Sequence, residues 1–448
     1  MSIRNENRPA TVPNTAKQAG EAGPFNWDWV ERSVWTERML SALERGVKGN
    51  VWFSLFDKVC RSTTLNAAWR GVKANGGSAG SDHQNITDFE RDLEANLGRL
   101  EEELRTGSYR PRPVRRVYID KPGSEDKRPL GIPAIRDRVV QGALRLVTEP
   151  IFEREFSPVS FGFRPGLGCK DALREVDRLL KSGYTQVVDA DIKAYFDSIP
   201  HDLLMKEVRK HIADGRVLEL LETFLKADIL DAMSRWTPEG GTPQGAVISP
   251  LLANLYLHSV DLEMTEAGYR MIRYADDFVI LCQDQGEAHT ALTLVNRLIE
   301  QKGLSLHPAK TKIVDLSQRG GAFDFLGYRL YRYTRWPRKK SISKFRDAIR
   351  AKTGRSNGRS LEMIIADVNR TLVGWFEYFK HASKQTFPPI DGWVRRRLRG
   401  ILRKRRKRQR GGISRGYDHI RWPNKFFHVR GLFNLESAYR TCFQSSSR

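Results

Sequence analysis

Residues 271–284, MIRYADDFVILCQD, set two carboxylates side by side inside an apolar, β-prone run. That pattern leaves the chain few ways to fold. Two like charges about 4 Å apart cost on the order of 4 kcal/mol at an effective dielectric near 20, so Asp276 and Asp277 need water or a cation. MIRY and FVILC flank A-D-D, and the spacing predicts a β-hairpin with A-D-D as its turn and the carboxylates at its tip. Taken alone, the pair could be a surface turn, because Asp is a common turn residue. A second acidic strand argues otherwise: in VVDADIKAYFDSIPH, 187–201, an apolar strand ends on Asp191. Three carboxylates in one pocket can hold two divalent ions roughly 3.5–4 Å apart, the clamp used in phosphoryl transfer. Mg2+ suits such a site because it is hard and keeps part of its water shell.

The charge balance says what the substrate carries. Lys and Arg number 76 against 53 Asp and Glu, a formal net charge of +23 over 448 residues. With 40 % apolar residues the chain is globular, and a globular chain this basic takes a polyanionic partner. An anionic membrane is the other candidate, but no stretch reaches the roughly 18 uncharged apolar residues of a spanning helix, and the N-terminus has no signal-peptide pattern. Nucleic acid is therefore the expected partner, with no membrane. Cys60, Cys169, Cys282 and Cys442 are scattered without a C-x-x-C pair, which reads as reduced thiols in a cytosolic protein. His419 and His428 lack a cysteine pair nearby and are not expected to bind metal.

Along the chain, residues 1–24 are polar and read as a disordered tail. From FNWDWVERSVWTERMLSALERGV a helix is expected, with Trp35, Met39 and Leu43 on one face. Helical patterns cover 86–106, 135–154, 170–182, about 201–227, 251–265 and 286–302, with a strand at 185–192. YRPRPVRRVYIDKPGSEDKRPLGIP, 109–133, reads as a hairpin with a basic face. After about 335 acidic residues thin out and two helices follow, split by a Gly/Ser/Asn loop. VRRRLRGILRKRRKRQR, 394–410, is an extreme basic run. It makes Arg403, Lys404, Arg405, Arg406, Lys407 and Arg408 the expected phosphate contacts. Boundaries are placed near 66, 335 and 405. They give an N-terminal leader (1–65), a large α+β domain (66–335), a helical domain (336–405) and a basic C-terminal segment (406–448).

Other residues fit a polymerase pocket. TPQGAVISP puts Gln244 and Gly245 in a loop that can approach a base pair closely. Lys121 and Arg128, on the basic hairpin, can hold a triphosphate, though a solvated basic face would read the same. Phe196, five residues after Asp191, would stand beside the sugar, or else pack in the core.

Together these residues resemble the reverse transcriptases encoded by bacterial group II introns, the intron maturases, over about 66–440. The ordered motifs are KRPLGIP (127–133), SFGFRPG (160–166), DADIKAYFDSI (189–199), GTPQGAVISPLLANLYLH (241–258), RYADDFVI (273–280), LSLHPAKTKIV (304–314) and FDFLGYRL (323–330). The resemblance implies a right-hand polymerase with fingers and palm and a helical thumb or maturase domain. Asp191, Asp276 and Asp277 are then the catalytic metal ligands, with two Mg2+ ions or Mn2+ in their place. It implies Phe196 as the sugar-sensing residue, Gln244 in the nucleotide pocket, Lys121 and Arg128 on the triphosphate, Arg164 on the template and Lys310 as a palm lysine in contact with nucleic acid. DVNRTLVGWFEYFK (367–380) resembles the maturase domain, and RWPNKFFHVRGLFNLESAY (421–439) the tail of class C members. Three departures stand out: Ala246 replaces the usual glycine after PQG, GSAGSD replaces the common GVDG form, and Lys121 and Arg128 are one residue further apart than usual. The implied partners are intron RNA, a DNA target or primer and deoxynucleoside triphosphates, in a bacterial cytoplasm. No nuclease domain is expected to cleave the second DNA strand. A splicing factor without polymerase activity, or a relative serving phage defence or CRISPR adaptation, are the alternatives.

Overall fold

The computed structural model describes residues 27–47, 51–120, 127–232, 234–407 and 417–444. The tail expected over 1–24 lies outside them. The chain forms two compact units, one from Met1–Arg116, Gly131–Gly168 and Phe196–Asp261, the other from Val117–Leu130, Cys169–Tyr195 and Leu262–Arg448.

The first unit is built around the helix Ile135–Glu155, which buries Val139, Val140, Ala143, Leu144, Val147, Ile151 and Phe152. The helix is buried on nearly every face, with Asp137, Arg138, Gln141, Thr148 and Glu149 among the buried residues, so it runs through a core. Gly142 makes this possible on one side: a Cβ there would meet Ala68 Cβ at 3.1 Å, on the helix Ser62–Asn75. Buried Asp137 is fully engaged, accepting from Tyr109 Oη at 2.6 Å and Arg112 N at 2.9 Å.

Two expected helices are redrawn. The leader helix is Glu37–Arg45 and buries Leu40 and Leu43; Trp35 precedes it, donating Nε1–H to Leu146 O at 3.0 Å, and Met39 is only half-buried. The helix expected over 86–106 breaks at Asp92 (φ −116°, ψ 40°) into Ile86–Arg91, opened by an Asn85–Asp88 capping box, and Leu93–Thr106.

The two strands of the expected hairpin are β1 (Val114–Asp120) and β2 (Lys127–Ile132), neighbours in one sheet, and the turn expected at Pro122-Gly123 lies outside the described residues. The start of β1 runs parallel to β4 (Ile229–Asp231), which turns back into β5 (Ser234–Trp236).

The second unit holds a four-stranded antiparallel sheet in the order β6-β7-β3-β8. Its strands are β3 (Gln186–Asp191), β6 (Arg270–Tyr274), β7 (Asp277–Cys282) and β8 (Lys312–Asp315). The helices Cys169–Lys181 and Gln285–Gln301 pack on it. Central β7 buries Phe278, Val279, Ile280 and Leu281 as a continuous apolar run, and β3 buries Val187 and Val188 before its D-A-D end. A small sheet follows, β9 (Phe323–Phe325), β10 (Tyr328–Leu330) and β11 (Arg335–Pro337). Helices Lys339–Lys352, Leu361–Phe379 and Phe387–Lys407 then pack through Phe345, Trp375, Phe376, Phe379 and Phe387. Buried Asp391 caps the last helix, Leu435–Gln444, accepting from Leu435 N at 3.1 Å and Glu436 N at 3.0 Å. The architecture is α+β, with helices gathered toward the C-terminus.

Candidate active site

The hairpin turn is tighter than A-D-D. Tyr274 pairs with Asp277 across β6 and β7, which leaves Ala275 and Asp276 as the loop. Two-residue hairpin loops need positive φ to follow the strand twist, and Ala275 supplies it at 60°. Buried Arg273 fixes the turn from below, donating Nη1–H to Ala275 O at 3.0 Å. Asp276 is therefore a tip residue, whereas Asp277 is the first residue of β7.

Register brings the upstream acid to the same place. Asp191, the last residue of β3, is the ladder partner of Asp277. Opposed residues share a face with Cβ atoms about 4.5–5.5 Å apart, so Asp191, Asp277 and Tyr274 form one row across three strands. Alternation puts Asp189 on that face as well. Burial, and then the charges of Asp189, Asp276 and Asp191, push Asp277 up to about 7, against the pull of Arg338. Asp276 is raised too, first by burial and then by Asp191; its own backbone hydrogen bond, Arg128 and Lys310 act the other way. Lys310 Nζ lies 2.6 Å from Asp191 Oδ2, and Lys312 Nζ lies 3.5 Å from Asp189 Oδ2. His307 N donates to Asp191 O at 2.7 Å, holding the strand end against the 304–311 loop.

Among the described residues, no group of three or more His, Cys, Asp or Glu side chains closes tightly enough to hold a metal ion. The donor chemistry nevertheless fits a hard divalent cation: carboxylate oxygens only, already crowded enough to hold Asp277 near neutrality, with an ammonium lying on one of them.

Asp189 and Lys312 are functional candidates that the motif reading passed over. The signal was the alternation D-A-D, which sets Asp189 and Asp191 on one face of β3, while Lys312 opens the neighbouring β8. Lys310, expected on nucleic acid, sits on Asp191. Arg128 acts on Asp276. Lys121 lies outside the described residues.

The other nucleotide-pocket candidates, Phe196 and Gln244, lie in the first unit. Phe196 is buried, edge-to-face with exposed Phe163 at 6.4 Å, and its carbonyl accepts from Thr242 N at 2.7 Å. Gln244 Nε2 donates to Asp197 Oδ2 at 3.1 Å, and Gln244 O accepts from Gly131 N at 2.6 Å. A Cβ on Gly131 would sit 2.8 Å from Val114 Cγ1 and 3.3 Å from Pro243 Cβ, so only glycine lets the two segments touch. The left-handed residue of this loop is Gly245, φ 108°. Ala246 lies outside that region, is buried, and donates its N–H to Pro243 O at 3.0 Å, so the loss of the family's glycine there strains nothing.

Arg164, expected on the template, is engaged within the fold. Its guanidinium, 9 % exposed, pairs with Glu153 at 2.6 Å, donates to Ser157 O and Ser160 O at 2.7 and 2.8 Å, and lies over Phe156. Part of the basic run is likewise engaged in the fold. Arg403 pairs with buried Asp418 at 3.1 Å, Lys404 Nζ meets Ser356 Oγ at 3.0 Å, and Arg405 donates to Asn357 O at 3.3 Å and to Arg359 O. Arg406 ends the described side chains of this helix; the side chain of Lys407, and all of Arg408, lie outside them.

Comparison with known proteins decides the family. The family model "Reverse transcriptase (RNA-dependent DNA polymerase)" matches residues 119–330, and "Group II intron, maturase-specific domain" matches 342–417. Protein YkfC of Escherichia coli K12 is 36 % identical over 292 residues, covering 56 % of this chain and 76 % of that protein. The chain belongs to the group II intron reverse transcriptase–maturase family. Group II intron-encoded protein LtrA of Lactococcus lactis subsp. cremoris is 37 % identical over 213 residues, 47 % of this chain but 35 % of LtrA, so the match spans about a third of that relative. A chain of a partial Cas6-RT-Cas1–Cas2 complex is 27 % identical over 55 % of this chain and 41 % of that one, with a TM-score of 0.37. In this reverse transcriptase–maturase the acidic row and hairpin fall inside the polymerase match, and the aromatic helices after β11 inside the maturase match. No helix among the described residues is long and apolar enough to cross a membrane.

Proposed function

We propose that the protein copies RNA into DNA, binds the intron RNA that encodes it and assists its splicing, and uses the copy to insert that intron at a DNA target. The observation that carries this reading is the opposition of Asp191 and Asp277 beside the Asp276 turn. The 3′-hydroxyl of a primer attacks the α-phosphate of a deoxynucleoside triphosphate, and pyrophosphate leaves. Asp191, Asp276 and Asp277 would hold two Mg2+ ions, which when bound would supply Lewis-acid charge for attack and departure. The chain's own part is positioning and electrostatics, with no covalent intermediate. Lys310 neutralises Asp191 until a cation does so. Lys121 and Arg128 hold the triphosphate, Phe196 bounds the sugar, and Gln244 bounds the base pair from a loop fixed by Gly131 and Asp197. The polymerase occupies 66–335, the RNA-gripping helices 336–405 and a nucleic-acid-binding segment 406–448, acting in a bacterial cytoplasm.

The test is primer extension by the full chain on an RNA template with a DNA oligonucleotide, the four deoxynucleoside triphosphates and Mg2+, alongside retention of the intron RNA. Mg2+-dependent cDNA together with selective retention is expected. Retention without cDNA would leave a splicing factor only, and cDNA without retention would remove the maturase half of the reading.

A further inference from the structure

Phe163 carries two costs at once. Its backbone is left-handed, φ 59°, and it has the largest side chain of the described non-glycine residues at positive φ. Its ring is also 44 % exposed, so burial repays little of that strain. Strain of this kind persists only where the surroundings over-determine the conformation.

Here they do, on both sides of the residue. Buried Asn254, on the helix Ser249–Glu266, donates Nδ2–H to Gly162 O at 2.6 Å. Arg164 follows, its guanidinium tied to Glu153, Ser157 O and Ser160 O. The residues before and after Phe163 are thus anchored through buried groups, all of them within the first unit.

What the ring meets is Phe196. The two centroids are 6.4 Å apart with the planes at 76°, an edge-to-face pair inside the range where aromatic rings attract. The backbone at 196–197 is held by the 242–244 loop: Phe196 O accepts from Thr242 N, and Asp197 Oδ2 from Gln244 Nε2. Phe163 abuts the Phe196 ring itself. A ring refuses an extra hydroxyl by clash, and a clash depends on where the ring stands.

We propose that Phe163 is a positioning residue for sugar selection: held in its strained conformation between Asn254 and Arg164, it sets the place of the Phe196 ring, and with it how strongly a ribonucleotide's 2′-hydroxyl is refused. This rests on the reading of Phe196 as the residue that bounds the sugar.

The experiment measures single-nucleotide extension on a preformed RNA–DNA primer–template, with a deoxynucleoside triphosphate or the matching ribonucleoside triphosphate, and takes the ratio of the two kcat/KM values. The chains are the native one, Phe163→Ala, Phe163→Tyr, Phe196→Ala and the Phe163→Ala/Phe196→Ala double variant. Unfolding temperature and primer–template affinity are followed in parallel. Phe163→Ala should lower the ratio about two- to tenfold, chiefly through faster ribonucleotide incorporation, with the unfolding temperature nearly unchanged because the ring is largely exposed. Phe163→Tyr keeps the ring and should stay within about twofold of the native ratio. Phe196→Ala should lower the ratio further, and the double variant no further than Phe196→Ala alone, because Phe163 acts through that ring. A native ratio in Phe163→Ala, a tyrosine variant as unselective as the alanine one, or additive losses in the double variant would overturn the proposal. So would weakened primer–template affinity with the ratio intact, which would make Phe163 a stacking surface for the template. If Phe163→Ala does not fold, Phe163→Leu takes its place, keeping apolar bulk without the aromatic edge, and should lower the ratio in the same direction. An unchanged ratio in Phe196→Ala would strike the sugar-bounding reading itself, and absence of extension by the native chain the polymerase reading.

Discussion

Asp191 and Asp277 stand directly opposite each other on adjacent antiparallel strands, the last residue of β3 against the first of β7. Two acids in such a pair repel, and like charges directly opposed destabilise a sheet. The fold keeps them together through apolar strands on either side, the buried Arg273 beneath the turn and Lys310 on Asp191. The site is held against its own repulsion by packing, a repulsion that a bound cation would relieve.

That repulsion sets the pH response of the metal-free protein. Asp277 is held up to about 7 in the folded state by burial and by its acidic neighbours, against an ordinary carboxyl near 4 in the unfolded chain. Between those values the folded chain keeps a proton that the unfolded chain has lost, so stability falls as pH rises from about 4 to about 7 and stays low above. In EDTA, Asp277→Asn should be more stable than the native chain at pH 8, on the order of 1–3 kcal/mol by urea unfolding. The gap should close toward pH 5, and Mg2+ should raise the native chain only. An asparagine variant no more stable at pH 8 would contradict this.

Lys310 is more than half exposed, so its pair with Asp191 should add less than about 1 kcal/mol to stability. Its effect belongs in the chemistry. Lys310→Met should slow single-turnover extension by about tenfold or more while leaving primer–template affinity nearly unchanged. A selective loss of affinity would return Lys310 to the role of a nucleic-acid contact.

Removing the Arg164 side chain strands Glu153, which burial already raises. Arg164→Ala should cost about 3–5 kcal/mol in denaturant unfolding, and Arg164→Lys should recover only part, because lysine lacks the planar fork. An unchanged midpoint with weakened template binding would restore the template role.

Arg403 pairs with Asp418, whose side chain is 7 % exposed. Arg403→Ala should increase amide exchange over 417–430 and leave the salt slope of RNA binding nearly unchanged. A slope shallower by about one would mark Arg403 as a phosphate contact.

The strands and most helices were legible because their periods are plain: β3, β6 and β7 read as short apolar runs, and Ile135–Glu155 as a long buried helix. The acid convergence was legible through motif order, since pairing of β3 with β7 cannot be read from a strand's own residues. Other features carry no local signal. Arg164 and Arg403 count as positive charges in a sequence, and only the fold reveals Glu153 and Asp418 beside them. Asp92 breaks a helix through its backbone angles, which its residue type does not announce. Asp189 alternates with Asp191 along β3 and so shares its face.

The account stands most directly on the rate of RNA-templated extension by Asp191→Asn, Asp276→Asn and Asp277→Asn, measured at saturating Mg2+ with intron RNA binding followed in the same preparations. Each should fall by about a hundredfold or more with RNA binding intact, because asparagine keeps the shape and removes the charge that holds the cations. Extension by any one of them within about threefold of the native rate would contradict the claim that these oxygens act together.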